Sequence, residues 1–485
     1  MKGGGVARGA ALMVAFRMVD KSIGLVSTLI LARILTPADF GLVAMATAVL
    51  ALTELMGAFG FDTALIQRQD SQKRHYNTAW TFNVLFGVAI TIALLALASP
   101  AADFYREPRL LEMLPVLALG ALVGGFENIG TVAFRKELNF DMEFRFLLIK
   151  RLAAFAVTLS LAFAFRTYWA LVIGMVTSKF VSVLISYRLH PYRPSFCLEA
   201  KAELMHFSKW LFISNLIQFL HSRSTDFILG RTVGTHGLGI YNIGVEIAVM
   251  PSTEFIAPIN RAIYPVYSKL AADQEALWAR FFQVFGVICL VALPVSTGLI
   301  SVAEVAVQVL LGDQWGEAVP IIRIIAVSGL AAALQSNLYL VILALGRPKA
   351  NTLLSACLLL ISLPAIVYFS IHYGAVGAAS THCVVSLVGL SAISVVFSRI
   401  TGLRLGQLGK CLLRPMLASA VMGMAVITCD ASIQSFAPVL RLLLLIAVGV
   451  ASYAAAVILL WIIAGRPGGG EKELICLVMN RLKNR

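Results

Sequence analysis

An arginine and an aspartate stand three residues apart inside an otherwise apolar stretch of this sequence. They are Arg223 and Asp226, in "HSRSTDFILGRTVG", which directly follows the run "WLFISNLIQF". In a helix this spacing places both side chains on one face. A paired arginine can exchange its carboxylate for a phosphate, because its planar guanidinium donates two parallel hydrogen bonds to either group. The pair therefore indicates either anion binding or a helix-packing device, and the sequence leaves both open.

A second charged group near the N-terminus repeats the Arg-x-x-Asp spacing. Arg17, Asp20 and Lys21 interrupt the first apolar stretch. A charge at the bilayer centre costs about 2.5–3.5 kcal/mol on insertion scales, and a charge that faces a polar cavity escapes most of this cost. We therefore interpret Arg17, Lys21 and Arg223 as candidate ligands of an anionic group such as a phosphate, with Asp20 and Asp226 as their charge-pair partners.

Two acids and one further arginine complete the candidate set. Glu54 and Glu254 lie deep in apolar stretches, 200 residues apart, where a carboxylate could exchange a proton or bind Na⁺. Arg323 enters an apolar stretch from its outer end, where a contact with an anionic group and a surface role are both open. No P-loop, nucleotide fold or metal cluster is present in the sequence, so we expect no cofactor, with H⁺ or Na⁺ coupling as an open alternative.

The composition fixes the class of protein. Hydrophobic residues make up 59% of the chain, charged residues 13%, and the net charge is +14. Soluble domains have about 45–50% apolar and about 25% charged residues. The basic residues stand in short runs between apolar stretches, where they orient helices in a membrane rather than bind nucleic acid. The chain is therefore predicted to be a polytopic membrane protein.

Fourteen apolar stretches approach the length of about 20 residues that a spanning helix needs. They are 11–32, 41–62, 78–100, 110–133, 146–165, 168–187, 207–229, 238–259, 281–302, 318–344, 351–371, 375–397, 412–429 and 438–464.

The connecting segments predict the orientation. If the N-terminus is cytoplasmic, the inner segments hold 26 Lys and Arg and the outer loops hold 6, a strong positive-inside bias. Both termini are then cytoplasmic. No loop is long enough to fold as a domain, which argues against a membrane enzyme such as a polysaccharide polymerase or lipid-carrier ligase. We predict a protein that is not an enzyme.

An internal repeat predicts the architecture. A constant offset of 198 pairs Arg33 with Arg231 and Gly41 with Gly239. Each stretch ends an odd-numbered span, crosses a short outer turn and enters the next span. Six spans separate the two copies, so both have the same orientation, an arrangement known among transporters.

The predicted fold is therefore all-α, with about 14 transmembrane helices in two parallel-related six-helix lobes plus two C-terminal helices. It has an N-terminal lobe (1–190), a parallel C-terminal lobe (191–400), and two further helices with a cytoplasmic tail (401–485). The first outer turn also carries a helix start: Thr36 is predicted as N-cap, followed by Pro37 and the acid Asp39.

Several segments resemble those of the bacterial polysaccharide-export and oligosaccharide flippases. This family belongs to the multidrug/oligosaccharidyl-lipid/polysaccharide exporter superfamily. The matching segments are "LARILTPADFGLVAMATAVLALTELMGAFGFDTALIQRQD" (31–70), "HYNTAWTFNVLFG", "ADFYREPRL", "DFILGRTVGTHGLGIYN" and "PINRAIYPVYSKL". The resemblance covers residues 10 to 280 and continues beyond them by topology.

The resemblance implies a V-shaped transporter that acts as a flippase of the bacterial inner membrane. Its substrate would be an undecaprenyl-diphosphate-linked oligosaccharide, carried to the periplasmic leaflet for exopolysaccharide or lipopolysaccharide biosynthesis, with a polysaccharide polymerase and co-polymerase as partners. The diphosphate would then be the ligand of Arg17, Lys21, Arg223 and Arg323, and Glu54 and Glu254 would couple transport to H⁺ or Na⁺. Lipid II flippases of the superfamily carry an Arg-Asp pair where this sequence has Ser27 and Thr28, which disfavours a peptidoglycan precursor. The alternative is an ion-coupled antiporter from the drug-extrusion branch.

Overall fold

The computed structural model describes residues 3–68 and 70–465, and every regular element within these ranges is helical. The chain divides into two compact units, Met1–Gly239 and Ile240–Arg485, called the first and second unit below. The predicted lobe boundaries at 190 and 400 divide the chain differently, and as lobes of a transporter they stay predictions.

The α-helices of the described residues are numbered in chain order. They are α1 (Gly3–Ile34), α2 (Pro37–Glu54), α3 (Phe61–Gln67), α4 (Lys73–Tyr105), α5 (Leu110–Gly125), α6 (Val132–Lys136), α7 (Phe140–Phe165), α8 (Trp169–Leu189), α9 (Lys201–Pro251), α10 (Ala257–Leu270), α11 (Gln274–Leu310), α12 (Ala318–Ala344), α13 (Pro348–Thr401), α14 (Leu405–Ser432) and α15 (Pro438–Ile463).

These helices make the protein a multi-pass membrane protein. By length and composition, nine helical segments of the described residues can cross a bilayer, and a tenth results if the bent pair Leu110–Gly125 and Ile129–Lys136 counts as one span. Helices α9 and α13 are 51 and 54 residues long, more than twice the length that a span needs. Both break at a glycine of positive φ, Gly234 and Gly374, and each break falls between two predicted spans. The total of fourteen stays a prediction.

The turn between α1 and α2 confirms the predicted helix start. The Asp39 backbone N–H donates to Thr36 Oγ1 over 3.3 Å, and the Thr36 backbone N–H donates to Asp39 Oδ2 over 2.9 Å. With Pro37 at the first helical position, this reciprocal capping box begins α2. Helix α2 ends at Glu54 and Gly60 adopts a left-handed conformation, so Asp62, which the sequence placed in the second span, lies in the short helix α3 instead.

The two glycines that the 198-residue offset pairs lie against each other in the first unit. A Cβ added to Gly41 would lie 1.7 Å from the carbonyl oxygen of Thr235, and one added to Gly239 would lie 1.9 Å from that of Pro37. Thr235 is Pro37 plus 198, so the contact is reciprocal. Such close backbone approach is available only to glycine, which gives both glycines of the repeat a packing role.

The segment between α8 and α9 is bound to the start of α4 by buried polar side chains. Asn77, 7% exposed, donates to Ser195 Oγ over 2.7 Å and accepts from the Ser195 backbone N–H and the Tyr192 hydroxyl. Thr81 accepts from the backbone N–H of Cys197. Side chains of the segment "HYNTAWTFNVLFG", which is part of the resemblance, thus satisfy backbone N–H groups of the irregular linker that leads into α9.

Glu203, at the start of α9, forms ion pairs with Arg68 and Arg74 and a hydrogen bond with His75. The attachment of this segment to the start of α4 therefore depends on pH. Hydrogen bonding from His75, and then from Arg68, holds the pKa of the Glu203 carboxyl below its ordinary 4.5. His75 Nδ1 accepts from the Gln72 backbone N–H, so Nε2 carries the proton and donates to Glu203 over 3.2 Å. Because the pKa of Glu203 is lower in the folded state than in the unfolded state, the ionised carboxylate stabilises the folded protein. The stabilisation is complete above the unfolded-state pKa of 4.5 and is lost as the pH falls through the folded-state pKa.

We therefore expect Glu203→Gln to lower the melting temperature of the purified protein at pH 7. The difference from wild type should shrink as the pH falls below 4.5, because the wild-type carboxylate then becomes protonated as well. Thermal unfolding in detergent between pH 3.5 and 7 measures this, with Glu275→Gln as control, since Glu275 forms no ion pair within the described residues. A difference in melting temperature between wild type and Glu203→Gln that stays constant across this pH range contradicts the prediction.

The second unit has an aromatic core. Phe281, Phe285 and Phe397 are fully or nearly fully buried, and their rings approach to 5.0–5.4 Å between α11 and α13. Tyr267 of α10 is also fully buried and its hydroxyl lies 3.4 Å from Asn337 Oδ1. This core packs α10, α11, α12 and α13 together.

Candidate substrate site

Three basic side chains lie well inside membrane-spanning helices of the first unit. Lys150 and Arg151 are ten and eleven residues beyond the start of α7, and Lys179 is the eleventh of the 21 residues of α8. At about 1.5 Å per residue, Lys179 is about 15 Å from either end of its helix, which is the middle of a hydrocarbon layer of about 30 Å.

Small residues and aromatic contacts bring the helices that carry these cations together. Phe16 of α1 meets Phe144 of α7 edge to face at 6.0 Å. Helices α7 and α8 cross so closely that a Cβ on Gly174 would lie 1.8 Å from Thr158 Oγ1. Gly120 of α5 packs against Val176 of α8. Helices α1, α5, α7 and α8 are thereby fixed around the charged side chains.

Arg151 and Lys179 each face a carboxylate on another helix, at loose geometry. Arg151 Nε lies 3.0 Å from Asp20 Oδ1, at an angle outside hydrogen-bond geometry. The guanidinium passes over Gly24 of α1, where an added Cβ would be 2.9 Å from Nη2. Lys179 Nζ lies 3.9 Å from Glu54 Oε1. Both cations are therefore paired by charge without a directed hydrogen bond to the carboxylate, and can turn toward another anion.

Glu127 is a third carboxylate near these cations, at a bend between two helices. It lies between α5 and α6, in the pair bent by 66°, and accepts a hydrogen bond of 2.5 Å from Ser182 of α8. Lys150 is within electrostatic range of both Glu127 and Lys179. Asn128 next to it donates to the carbonyl of Tyr192 and accepts from the backbone N–H of Gly130, which satisfies the interrupted helix backbone.

The exposure of these side chains indicates a polar space. The side chains of Asp20, Glu54, Arg151 and Lys179 are between 39% and 47% exposed. Ionised groups at this depth face a water-filled cavity or the interior of the protein rather than lipid, and a broken helix at membrane depth is tolerated in the same surroundings. The first unit thus offers a partly exposed cluster of charged side chains within its spanning helices.

The structure assigns the predicted charge-pair partner Asp20 to a different arginine. Asp20 faces Arg151 of α7, and Arg17 forms no ion pair with any residue in the described ranges. At 100° per residue, Arg17 and Lys21 lie on one flank of the Asp20 face of α1, and both are exposed. The cluster and this flank together hold five cations and three carboxylates.

Arg223 and Asp226 form the pair that their spacing predicts. Arg223 Nη1 donates to Asp226 Oδ2 over 3.2 Å, with Asp226 buried and Arg223 half-exposed. Tyr105 lies beside them, since its ring stacks on Phe227 with 6.1 Å between centroids. This pair therefore has the closed geometry expected of an empty anion site and of a packing device alike.

The remaining predicted residues lie in the second unit. Arg323 is paired with Glu304 at 3.7 Å and donates to the carbonyl of Ile300. Glu254 lies in a π-helical turn, Ser252–Ile256, between α9 and α10. Each has its own surroundings within that unit, and the diphosphate and ion-coupling roles of the predicted residues stay predictions.

Lys150, Arg151 and Lys179 are not among the site residues predicted from the sequence, although all three stand within apolar stretches. The fifth predicted span begins at residue 146, which places Lys150 and Arg151 near its end. In the structure α7 begins at Phe140, capped by Asn139, so both residues move toward the middle. The spacing of Lys179, Ser182 and Ser186 (i, i+3, i+7) marks one polar face of α8 and was the signal that could have found the site.

The fold is that of a transporter of the multidrug/oligosaccharidyl-lipid/polysaccharide superfamily. The solved structure of a lipid II flippase, MurJ, matches with a TM-score of 0.73 at 12% identity, over 94% of this chain and all of that one. An inward-facing multidrug resistance transporter of the MATE family matches with a TM-score of 0.60 at 14% identity, over 83% and 99%. At such identities the likeness establishes the fold.

The sequence comparison identifies the family. Residues 30–320 match the family described as "Polysaccharide biosynthesis protein", and the chain belongs to it. It is 25% identical to the lipopolysaccharide biosynthesis protein WzxC of Escherichia coli K12 over 73% of each chain. It is also 25% identical to the teichuronic acid biosynthesis protein TuaB of Bacillus subtilis, over 81% of this chain and 83% of that protein.

Proposed function

We propose that this protein is a flippase for an undecaprenyl-diphosphate-linked oligosaccharide. It moves its substrate by alternating access from the cytoplasmic to the periplasmic leaflet of a bacterial inner membrane, for exopolysaccharide or lipopolysaccharide biosynthesis. Family membership supports this proposal, as do relatives named for lipopolysaccharide biosynthesis and for succinoglycan biosynthesis transport, the latter from Rhizobium meliloti. The predicted orientation, with both termini cytoplasmic, agrees with such a route.

The observation that carries the proposal is the excess of cations in the first unit at mid-membrane depth. Arg151 and Lys179 are held by carboxylates at distances or angles that leave their donors available. Arg17 and Lys21 add two cations on the adjoining flank of α1. A diphosphate supplies several acceptor oxygens to such donors, and a charge-assisted hydrogen bond is about twice as strong as a neutral one.

The pair of Glu54 and Lys179 provides a route for ion coupling in this proposal. A proton or Na⁺ taken up by Glu54 would neutralise the carboxylate that faces Lys179. Lys179 would then bind an anionic substrate more strongly, and loss of the ion would favour release. Glu254 remains the corresponding candidate in the second unit.

The three carboxylates of the same cluster favour the second candidate, an ion-coupled antiporter for cationic compounds. Asp20, Glu54 and Glu127 could bind a cationic drug if their basic partners turned away. The flippase is preferred because Lys150, Arg151 and Lys179 lie among these acids and would repel a cation.

Reconstituted liposomes test the two candidates against each other. Wild-type protein is expected to move a short-chain polyprenyl-diphosphate oligosaccharide across the bilayer, measured as the fraction that becomes accessible to an added membrane-impermeant glycosidase. Neutral glycolipid of the same chain length, which lacks the diphosphate, should not move. Extrusion of cationic dyes with no movement of the diphosphate substrate would replace the flippase by the antiporter.

A further inference from the structure

A groove on the second unit is lined by three basic side chains. It lies where the turn between α12 and α13 meets the last turns of α13, and its volume is about 660 Å³. The basic residues are Arg347, Lys349 and Arg399, and all three are exposed. Helix α12 ends and α13 begins and ends at this groove, which therefore lies at the surface of the membrane and not at its centre.

The local backbone fixes the positions of the residues at the helix ends that carry these charges. Gly346 has a φ of +72°, and its N–H donates to the carbonyl of Leu343 while that of Arg347 donates to Ile342. These two bonds form a Schellman motif, which ends α12 and fixes the direction of the following residue. Arg399 lies in the last turn of α13. The groove is thus built on helix ends of defined geometry.

The positive charge of the groove has no compensation in the described part of the chain. Among residues 3–68 and 70–465, no carboxylate forms an ion pair with Arg347, Lys349 or Arg399. The first turn of α13 offers backbone N–H groups without intrahelical acceptors, and the C-terminal ends of α12 and α13 meet it at the same groove, so the excess positive charge is that of the three side chains. A bound anion would reduce the mutual repulsion of the three side chains.

The walls beside the cations are apolar. They are formed by Pro348, Ala350, Val396 and Ile400. A free phosphate ion would contact the cations and leave these walls in water, whereas a phospholipid would cover both, with its phosphate at the cations and its glycerol and upper acyl chain on the walls. The predicted orientation puts this face at the cytoplasmic leaflet, where basic pockets between helices bind anionic lipid headgroups.

We propose that this groove binds the phosphate headgroup of an anionic glycerophospholipid. All residues that line the groove belong to the second unit, and the proposed site does not depend on the transported substrate. Bound lipid stabilises the second unit by linkage, since it binds the folded state and not the unfolded chain.

A lipid titration of the full chain tests the site. The purified protein in uncharged detergent is titrated with short-chain phosphatidylglycerol, and the melting temperature is recorded at each concentration, with phosphatidylcholine of the same chains as reference. The variant Lys349→Gln/Arg399→Gln should bind phosphatidylglycerol at least about tenfold more weakly, which is about 1.4 kcal/mol, because two of the three charge-assisted contacts to the headgroup are lost. The control Arg404→Gln/Lys410→Gln removes the same charge near the same end of α13, outside the groove, and should match wild type.

The other outcomes each overturn the proposal. Equal weakening in both double variants would mean general attraction of a basic surface to anionic lipid. A stabilisation produced equally by inorganic phosphate would mean a free-anion site. A response to polyprenyl diphosphate but none to phosphatidylglycerol would make the groove part of substrate recruitment.

Discussion

Arg151→Gln and Lys179→Gln should each slow translocation of the polyprenyl-diphosphate oligosaccharide by about tenfold or more. Each substitution removes one charged donor from mid-membrane depth and keeps a side chain of similar length. Loss of one hydrogen bond to a charged group costs about 1.5–3 kcal/mol, and 1.4 kcal/mol is a factor of ten. Initial rates in proteoliposomes, normalised to inserted protein, measure the effect.

Two further variants separate a substrate contact from a packing role. Arg151→Lys keeps the charge and loses the planar fork, so its rate should lie between those of wild type and Arg151→Gln. Lys73→Gln removes an exposed cation at the start of α4 and should leave the rate unchanged. If Arg151→Gln and Lys179→Gln insert normally and transport at the wild-type rate, these cations serve only to neutralise Asp20 and Glu54.

Features determined by nearby residues were predictable from the sequence. The capping box at Thr36 depends on side chains three residues apart, and the structure contains it. The breaks at Gly234 and Gly374 fall where the sequence changes from one apolar stretch to the next. Both follow from local chemistry, since a cap needs a short polar side chain and a left-handed residue favours glycine.

Features determined by distant residues were not predictable. The i,i+3 rule pairs Asp20 with Arg17, and the structure pairs it with Arg151, 131 residues away. The rule holds for Arg223 and Asp226. Nothing in a single sequence distinguishes the two cases, because the choice depends on α7 packing against α1. The same limit hid Lys179, whose partner Glu54 lies on another helix.

Gly41→Ala and Gly239→Ala should each destabilise the protein, although alanine favours helices. In each case the new Cβ would lie under 2 Å from a carbonyl oxygen, and the helices must separate by more than 1 Å to restore normal contact at about 3.5 Å. Overpacking of this kind costs about 1–3 kcal/mol. The control Gly298→Ala has only Met422 at 3.7 Å, and the gain in helix propensity should make it neutral or slightly stabilising. Melting temperatures in detergent measure all three.

The double variant Gly41→Ala/Gly239→Ala tests whether the contact is a single reciprocal one. Each Cβ meets the backbone of the other segment, at Thr235 and at Pro37, so one displacement of the two helices makes room for both methyl groups. The second substitution should therefore cost much less than the first, and the double variant should melt close to the less stable single variant. Independent sites would add their effects within about 0.3–0.5 kcal/mol. Additive losses would mean that the two glycines are accommodated separately, and that the 198-residue repeat has no shared contact at this turn.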